Sequence, residues 1–519
     1  MDRRHFLKVS SSASIATVLG TTLATLNGCG GSSAPPNIPT VVPPVTPVST
    51  GPDWLALSKQ IQGSLIRPSD ALYEQARVVI NTRFDAIMPQ AIARCASATD
   101  VSAVLDLVRK NGLAVTPRSG GHSFAGYSTG TGVVIDVTPM NTISISEGTA
   151  TIGAGARLVD IYDQLAAHGV AIPTGSCESV GIGGITLGGG WGVVGRAYGL
   201  TCDALISAQV VTADGKLVNC DANTEADLFW ALRGGGGGNF GVVTSFTFKT
   251  HVTRDLCTFN AIFKIEDAVA VMRAWQAWQA TLPDMIWASV VINSANINTP
   301  PVVTLFGVCV GSESDFSPYW QTLLLSIQVQ PQSSSVSRAS YRDTMLASCY
   351  GRSVSQCHIR GQTPDASMER YAQASTSDLF DALIPEVGLN TLVNAIVQGH
   401  AEGFGGYMIF NLMGGAIARI APEATAFVHR HSLISAEYDI EYQGGTADAK
   451  VDKALNWVHG MRAIMKPWSS GRAYVNYVDP LLDDWKNAYY GSNYARLVQV
   501  KMKYDPSQVF NFGQGIPTK

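Results

Sequence analysis

The chain has 519 residues, 46% of them hydrophobic and 15% charged, with a formal net charge of −4. That composition belongs to an ordinary globular protein and excludes a disordered or fibrous one, and the length predicts roughly two to four domains. The small negative charge, with no long basic run, excludes nucleic acid as a partner.

Arg3 and Arg4 precede Phe6 and Leu7, and a modestly apolar stretch follows over 14–26. This predicts a twin-arginine signal peptide over 1–29, because the stretch is too short and too rich in Thr, Ser and Gly to span a membrane. Leu26-Asn27-Gly28-Cys29 resembles a bacterial lipoprotein cleavage box, with Cys29 as the lipidated first residue. Cleavage without lipid is the alternative, so the expected location is periplasmic, free or anchored at Cys29. The Pro-rich segment 30–55 cannot pair its backbone and is expected to be an extended linker.

The pattern over 71–112 is mixed. Residues 114–118 read as a short strand delivering a glycine loop, and 133–137 and 149–153 as β-branched strands. Leu158, Ile161, Tyr162, Leu165 and Ala166 recur at helical spacing up to Gly169. Residues 205–212 and 216–219 flank Asp214-Gly215, which tolerates the positive backbone angles of a hairpin. A helix is expected over 227–232 and an alternating strand over 242–248. Together these predict a cofactor domain over 56–251.

Beyond it come an amphipathic helix over 266–281, a helix over 382–397, and strands over 287–292, 302–310, 408–413 and 437–442. They predict a sheet with helices on one side, a substrate domain over 252–470. Residues 474–477 and 496–503 again read as strands. Without Cys29, eight of the nine cysteines remain, too few for a disulfide-stapled scaffold of this size. Cys349 and Cys357 can bridge if the turn between them permits; Cys95, Cys202, Cys220, Cys257 and Cys309 are expected as small buried hydrophobes.

Chemistry concentrates in two glycine-rich segments, RSGGHSFAG from Arg118 and SCESVGIGGITLGGGWG from Ser176. Gly120, Gly121, Gly183, Gly184 and Gly188 to Gly190 carry no Cβ, so backbone N–H groups there can approach pyrophosphate oxygens. His122 and Cys177 then offer an imidazole and a thiolate to one ligand, which points to a cofactor held by two covalent bonds. A Rossmann nicotinamide site needs a helix directly after its glycines, and 181–192 is too glycine-dense to start one. Gly126-Tyr127-Ser128-Thr129-Gly130 fits GxSxG, but a glycine loop precedes it and a strand follows, so it is not a nucleophile elbow. HExxH, EF-hand and P-loop patterns are missing from the sequence, and no metal is expected.

These segments, with ALRGGGGGNFGVVTSFTF from Ala231, YVNYVDP from Tyr474 and KYDPSQVFNFGQGIP from Lys503, stand in the order found in a known family. From about Ser64 onward the chain resembles the berberine-bridge-enzyme-like, FAD-linked oxidases of the PCMH-type (vanillyl-alcohol-oxidase) superfamily. The resemblance implies an α+β, two-domain fold in which 471–519 folds back to complete a discontinuous FAD domain, beside an antiparallel-sheet substrate domain. It implies FAD bonded to His122 through the 8α-methyl and to Cys177 through carbon 6. Arg118, Ser119, Gly120, Gly121 and Ser123 are expected at the pyrophosphate, Gly184, Gly188 and Trp191 along the cofactor, and Asn239, Gly241 and Val242 at its far side. Val180 matches a position associated with oxygen entry.

Tyr477 matches the family's base, which takes a substrate O–H proton as hydride leaves the adjacent carbon; tyrosine's ordinary pKa near 10 must be lowered for that work. On a strand, Tyr474 and Tyr477 lie on opposite faces, so one of them reaches the flavin. YMIFNLMGG from Tyr407 matches a substrate-lining strand. Asn411 and Met413 stand there where relatives often carry a tyrosine or a charge, so a less ionic contact is expected. The implied activity is oxidation of an alcohol or saccharide hydroxyl with dioxygen reduced to hydrogen peroxide. A dehydrogenase of the same fold serving a membrane quinone or cytochrome, and a non-catalytic flavin- or ligand-binding lipoprotein, are the other readings.

Overall fold

The computed structural model describes residues 51–442 and 448–519. Its first sheet holds β1 (Ser64–Ile66), β2 (Ala91–Arg94), β3 (Val115–Arg118) and β4 (Val133–Asp136) in the order β1-β2-β4-β3, with β2, β4 and β3 parallel. Parallel pairing needs a crossover, and the helix Ala98–Asn111 supplies it between β2 and β3. Ser97 caps that helix, its hydroxyl accepting from the Asp100 N–H, and Gly112 ends it in the left-handed region at φ 60°.

Next come β5 (Ile143–Ser146), β6 (Thr149–Gly153), β7 (Val170–Ala171), β8 (Leu205–Val211), β9 (Leu217–Asp221), β10 (Val242–Lys249) and β11 (His251–Val252). β7 and β11 form a small ribbon; the other five make an antiparallel sheet ordered β5-β6-β10-β8-β9.

The third sheet is antiparallel throughout. It contains β12 (Leu256–Lys264), β13 (Ile286–Asn293), β14 (Val302–Cys309), β15 (Ser333–Ala339), β16 (Ala372–Phe380), β17 (Tyr407–Leu412) and β18 (Ile434–Tyr442), ordered β15-β12-β14-β13-β17-β18-β16. Period-two alternation gives it two different faces. Phe259, Val290, Phe410 and Tyr438 share a core with Trp275, Phe316, Leu389 and Met461 of four helices, whereas Trp287, Val308 and Ile409 pack into the core of the first two sheets. Helices therefore cover one side of the sheet and the other side meets the glycine-loop domain, the expected α+β, two-domain architecture.

The C-terminal stretch lies on the glycine run 234–238. The Tyr490 hydroxyl donates to the Gly235 carbonyl at 3.1 Å, and the Ile516 N–H to Asn239 Oδ1 at 2.9 Å. Its local structure differs from the strands expected there. Residues 474–477 contain a tight helical turn, Val475–Tyr477, and 496–503 belong to the helix Tyr494–Tyr504. In that helix the buried residues Leu497, Val500, Lys501 and Tyr504 follow three-and-four spacing, which the apolar alternation of the sequence concealed.

Three further expectations change. Residues 182–187 do form a helix, Ile182–Leu187, despite the surrounding glycines; it runs out where Gly189 and Gly190 take positive φ of 125° and 81°. The folded body begins inside the expected linker, where Asp53 caps the helix Trp54–Gln60. The strands β12, β15 and β16 and the helix Glu313–Ile327 were not anticipated. Cys349 and Cys357 form a disulfide, and Cys95, Cys202, Cys220, Cys257 and Cys309 are buried free thiols. The expected signal 1–29, Cys29 and linker residues 30–50 lie outside the described residues.

Candidate active site

A cavity of about 460 Å³ runs between the first two sheets to the edge of the third. The end of β3 and the loop after it bring Arg118, Ser119, Gly120, Gly121, His122 and Ser123 to its wall. The loop after β7 brings Cys177 and Val180, and the following glycine segment Gly184 and Trp191. Asn239, Gly241 and Val242 line it ahead of and at the start of β10, and Tyr477 lines it from the C-terminal turn. His122 and Cys177, 55 positions apart by their residue numbers, thus face one space.

Close backbone approach shapes this cavity. A Cβ on Gly120 would stand 2.3 Å from the Gly181 nitrogen, and one on Gly181 would stand 2.4 Å from the Gly120 nitrogen. Gly184 and Gly237 also line the cavity, and added carbons there would meet nothing within 4 Å. An elongated ligand with an anionic centre can therefore press against bare main chain, which fits a dinucleotide.

Charge is scarce within it. Of the described residues lining the cavity, only Arg118 and Glu437 carry a formal charge apart from His122. The Arg118 guanidinium is committed elsewhere: it pairs with Asp136 at 2.9 Å and donates to the Ala76 carbonyl at 2.6 Å. Its expected pyrophosphate contact thus cannot be that of a free cation. Arg157 lies behind the loop, 7% exposed, its Nη1 donating to the Ser119 carbonyl at 3.2 Å. The same nitrogen would be 2.9 Å from a Cβ on Gly120, and burial pulls this guanidinium down to about 10.

Tyr477 sits in an aromatic surround, its ring centroid 6.0 Å from Phe124, 6.1 Å from Trp191 and 5.1 Å from Tyr474. Because the turn is helical rather than extended, Tyr474 and Tyr477 both line the cavity, contrary to the one-face expectation. Asn476 pins the turn, donating to the Ile185 carbonyl at 3.0 Å and to the Tyr474 hydroxyl oxygen at 2.8 Å.

Four expected contributors lie outside the wall. Gly188 packs on Asn476, whose Oδ1 would be 2.0 Å from an added Cβ. Tyr407 and Asn411 are buried on β17 of the third sheet, and Met413 is buried just beyond its end. Asn411 donates to the Ser435 carbonyl at 3.4 Å, and the Met413 carbonyl accepts from Gln279 and Arg196. On the neighbouring β18 it is Glu437, 2% exposed, that reaches the cavity. The strand was legible and its chemistry was not, although Ser435, Glu437, Asp439 and Glu441 alternate with Ile434, Ala436, Tyr438 and Ile440 along it.

Comparison with known proteins agrees with this geometry. Residues 89–221 match the family described as FAD binding domain, and residues 473–517 the family described as Berberine and berberine like. The chain is 30% identical over 465 residues to the FAD-linked oxidoreductase YgaK of Bacillus subtilis (strain 168), covering 88% of this chain and 97% of that one. It is 29% identical over 475 residues to a chitooligosaccharide oxidase of Gibberella zeae, covering 87% and 92%. The solved structure of wild-type BBE-like 1 from Physcomitrella patens superposes with a TM-score of 0.81 at 28% identity, covering 90% of this chain and 99% of that one.

Proposed function

Since the chain belongs to the berberine-bridge-enzyme-like FAD-linked oxidoreductases of the PCMH superfamily, with FAD as its cofactor, we propose that FAD is bonded to both His122 and Cys177 and that the substrate is an alcohol or saccharide hydroxyl. The observation that carries the covalent reading is the convergence of His122 and Cys177, on separate glycine loops, upon the cavity that also receives Tyr477. A saccharide as substrate is supported by the relative named chitooligosaccharide oxidase.

FAD, held by the glycine loops with His122 and Cys177, would supply a two-electron acceptor for hydride from the substrate carbon, with dioxygen as the terminal oxidant reduced to hydrogen peroxide. Tyr477 takes the substrate hydroxyl proton as the carbonyl forms. Phe124, Trp191 and Tyr474 surround the Tyr477 ring edge to face and fix its position. Glu437, entering the same cavity from β18, supplies an acceptor for a second substrate hydroxyl or for the Tyr477 proton. Export by the twin-arginine route, with Cys29 as a lipid anchor, belongs to the same reading and is supported by Arg3, Arg4 and the Leu26-Asn27-Gly28-Cys29 box.

Denaturing the flavinylated protein tests the attachment. The yellow chromophore remains with the polypeptide, one link survives in each of His122→Ala and Cys177→Ala, and none survives in the double variant. Release of all flavin from the wild-type protein would refute the covalent assignment. Stoichiometric peroxide during turnover on sugars or alcohols supports the oxidase; turnover with an artificial acceptor alone removes it.

A further inference from the structure

The hydroxyl of Tyr474 has an unbalanced set of hydrogen bonds. It is 4% exposed, and its oxygen accepts from the Gly190 N–H at 2.8 Å and from Asn476 Nδ2 at 2.8 Å. Neither polarity can be reversed. A backbone N–H only donates, and the Asn476 amide is oriented by its second bond, to the Ile185 carbonyl, which only accepts. A phenol has two lone pairs and one proton. Both lone pairs of Tyr474 are taken, and among the described residues no atom accepts its proton. Buried hydroxyl protons are rarely left so, because the lost water contact is not replaced.

Tyr474 also lines the cofactor cavity, beside Tyr477 and Trp191. We propose that the Tyr474 hydroxyl donates its proton in a hydrogen bond to the molecule that fills this cavity, so that the turn presents two functional phenols, Tyr477 to take a proton and Tyr474 to offer one. The partner is a neutral or partly negative oxygen or nitrogen, either a carbonyl or ring nitrogen of the flavin or a substrate oxygen. Gly190 and Asn476 occupy the acceptor sites of the hydroxyl, so the proton is left for a partner other than the protein groups around it. Burial raises the Tyr474 pKa, which keeps the proton in place at neutral pH.

This inference rests on the cavity receiving FAD and substrate, not on the covalent links, and it survives the loss of either link. It is tested on the flavin-loaded protein with Tyr474→Phe and with 3-fluorotyrosine placed at position 474, at a pH where the fluorinated phenol stays neutral. Fluorination strengthens the O–H as a donor and weakens its oxygen as an acceptor. If the partner is the flavin, the visible band and reduction potential of the substrate-free protein shift one way in the Phe variant and the opposite way with 3-fluorotyrosine. If the partner is the substrate, spectrum and potential hold, and KM rises about tenfold for Phe, the size of one hydrogen bond, while 3-fluorotyrosine lowers it. Either pattern supports the proposal. Shifts in the same direction for both variants, or no shift in any readout, overturn it and leave Tyr474 as a fixed acceptor for Gly190 and Asn476. Where the Phe variant does not fold, 3-fluorotyrosine alone decides: a raised flavin reduction potential or a lowered KM supports the proposal, and no change or the reverse change in both overturns it.

Discussion

Gly120 and Gly181 stand back to back, each so close to the other's nitrogen that one added methyl on either would fall 2.3–2.4 Å from it. Two segments remote in sequence thereby become one wall. Gly120→Ala and Gly181→Ala must each push the wall open, at a cost of about 1–3 kcal/mol for an overfilled contact. Both variants are expected to melt several degrees lower and to carry less flavin per chain, read from the absorbance ratio of cofactor to protein. A Gly112→Ala change, where nothing lies within 4 Å, lowers stability through its positive φ of 60° without touching flavin content.

Arg157 lies behind Gly120 and outside the cavity wall, and with Arg118 paired to Asp136 it is expected to supply positive charge to the pyrophosphate through that wall. Arg157→Gln is expected to weaken FAD binding about tenfold, the scale of one charge-assisted contact. The measurement is FAD retention on dialysis in a His122→Ala, Cys177→Ala background, where covalent attachment cannot mask affinity. Unchanged retention would assign Arg157 to holding the Ser119 carbonyl alone.

One buried histidine, His429, and one half-buried, His251, make the fold sensitive to acid. Burial lowers His429 to about 3 and His251 to about 4, below the ordinary value of 6.5. Between those values and 6.5 the unfolded chain binds more protons than the folded one, so stability is full above pH 6.5 and is lost as pH falls towards 4 and then 3. Each contributes a slope approaching about 1.4 kcal/mol per pH unit. Urea midpoints from pH 4.5 to 7 follow that slope. His251→Phe retains the stack on Tyr198, 3.7 Å between ring centroids, and flattens the dependence.

The Cys349–Cys357 disulfide packs against Glu178, the residue next to Cys177, with sulfur and carboxylate atoms within 4.8 Å. It closes a short loop over the turn that presents the thiol. The Cys349→Ser, Cys357→Ser double variant is expected to lose about 2–3 kcal/mol of stability. In flavin-free protein its Cys177 should also be alkylated faster than in the disulfide-bonded form, as peptide mass mapping reports.

Tyr477→Phe removes the proton acceptor while keeping the ring among Phe124, Trp191 and Tyr474. Substrate-driven flavin bleaching in the absence of oxygen is expected to slow by roughly 10²–10⁴-fold, with flavin content and melting temperature unchanged.

Legibility in the sequence followed the range of the interactions. The glycine loops are contiguous, so His122, Cys177, Gly120 and Gly184 could be read from local composition, and the cavity gathers them. The alternating face of β18 was recognised as strand without its carboxylate, because what Glu437 meets is set by segments hundreds of residues away. Arg157 was invisible for the same reason: its importance comes from lying behind Gly120 rather than from any motif around it. YVNYV was misread because apolar alternation predicts extension. Asn476 instead ties its turn to Ile185 and the Tyr474 hydroxyl, side-chain bonds that period-counting cannot detect.

The large antiparallel sheet divides its labour by parity. Along β18 the even-numbered positions Ile434, Ala436, Tyr438 and Ile440 belong to the helix-backed core, and the odd-numbered position Glu437 reaches the cavity. Chemistry and scaffolding thus occupy interleaved sites on one ribbon. An evolving lineage, or an engineer, can exchange the molecules handled by this enzyme through alternate codons while leaving the architecture that supports them alone.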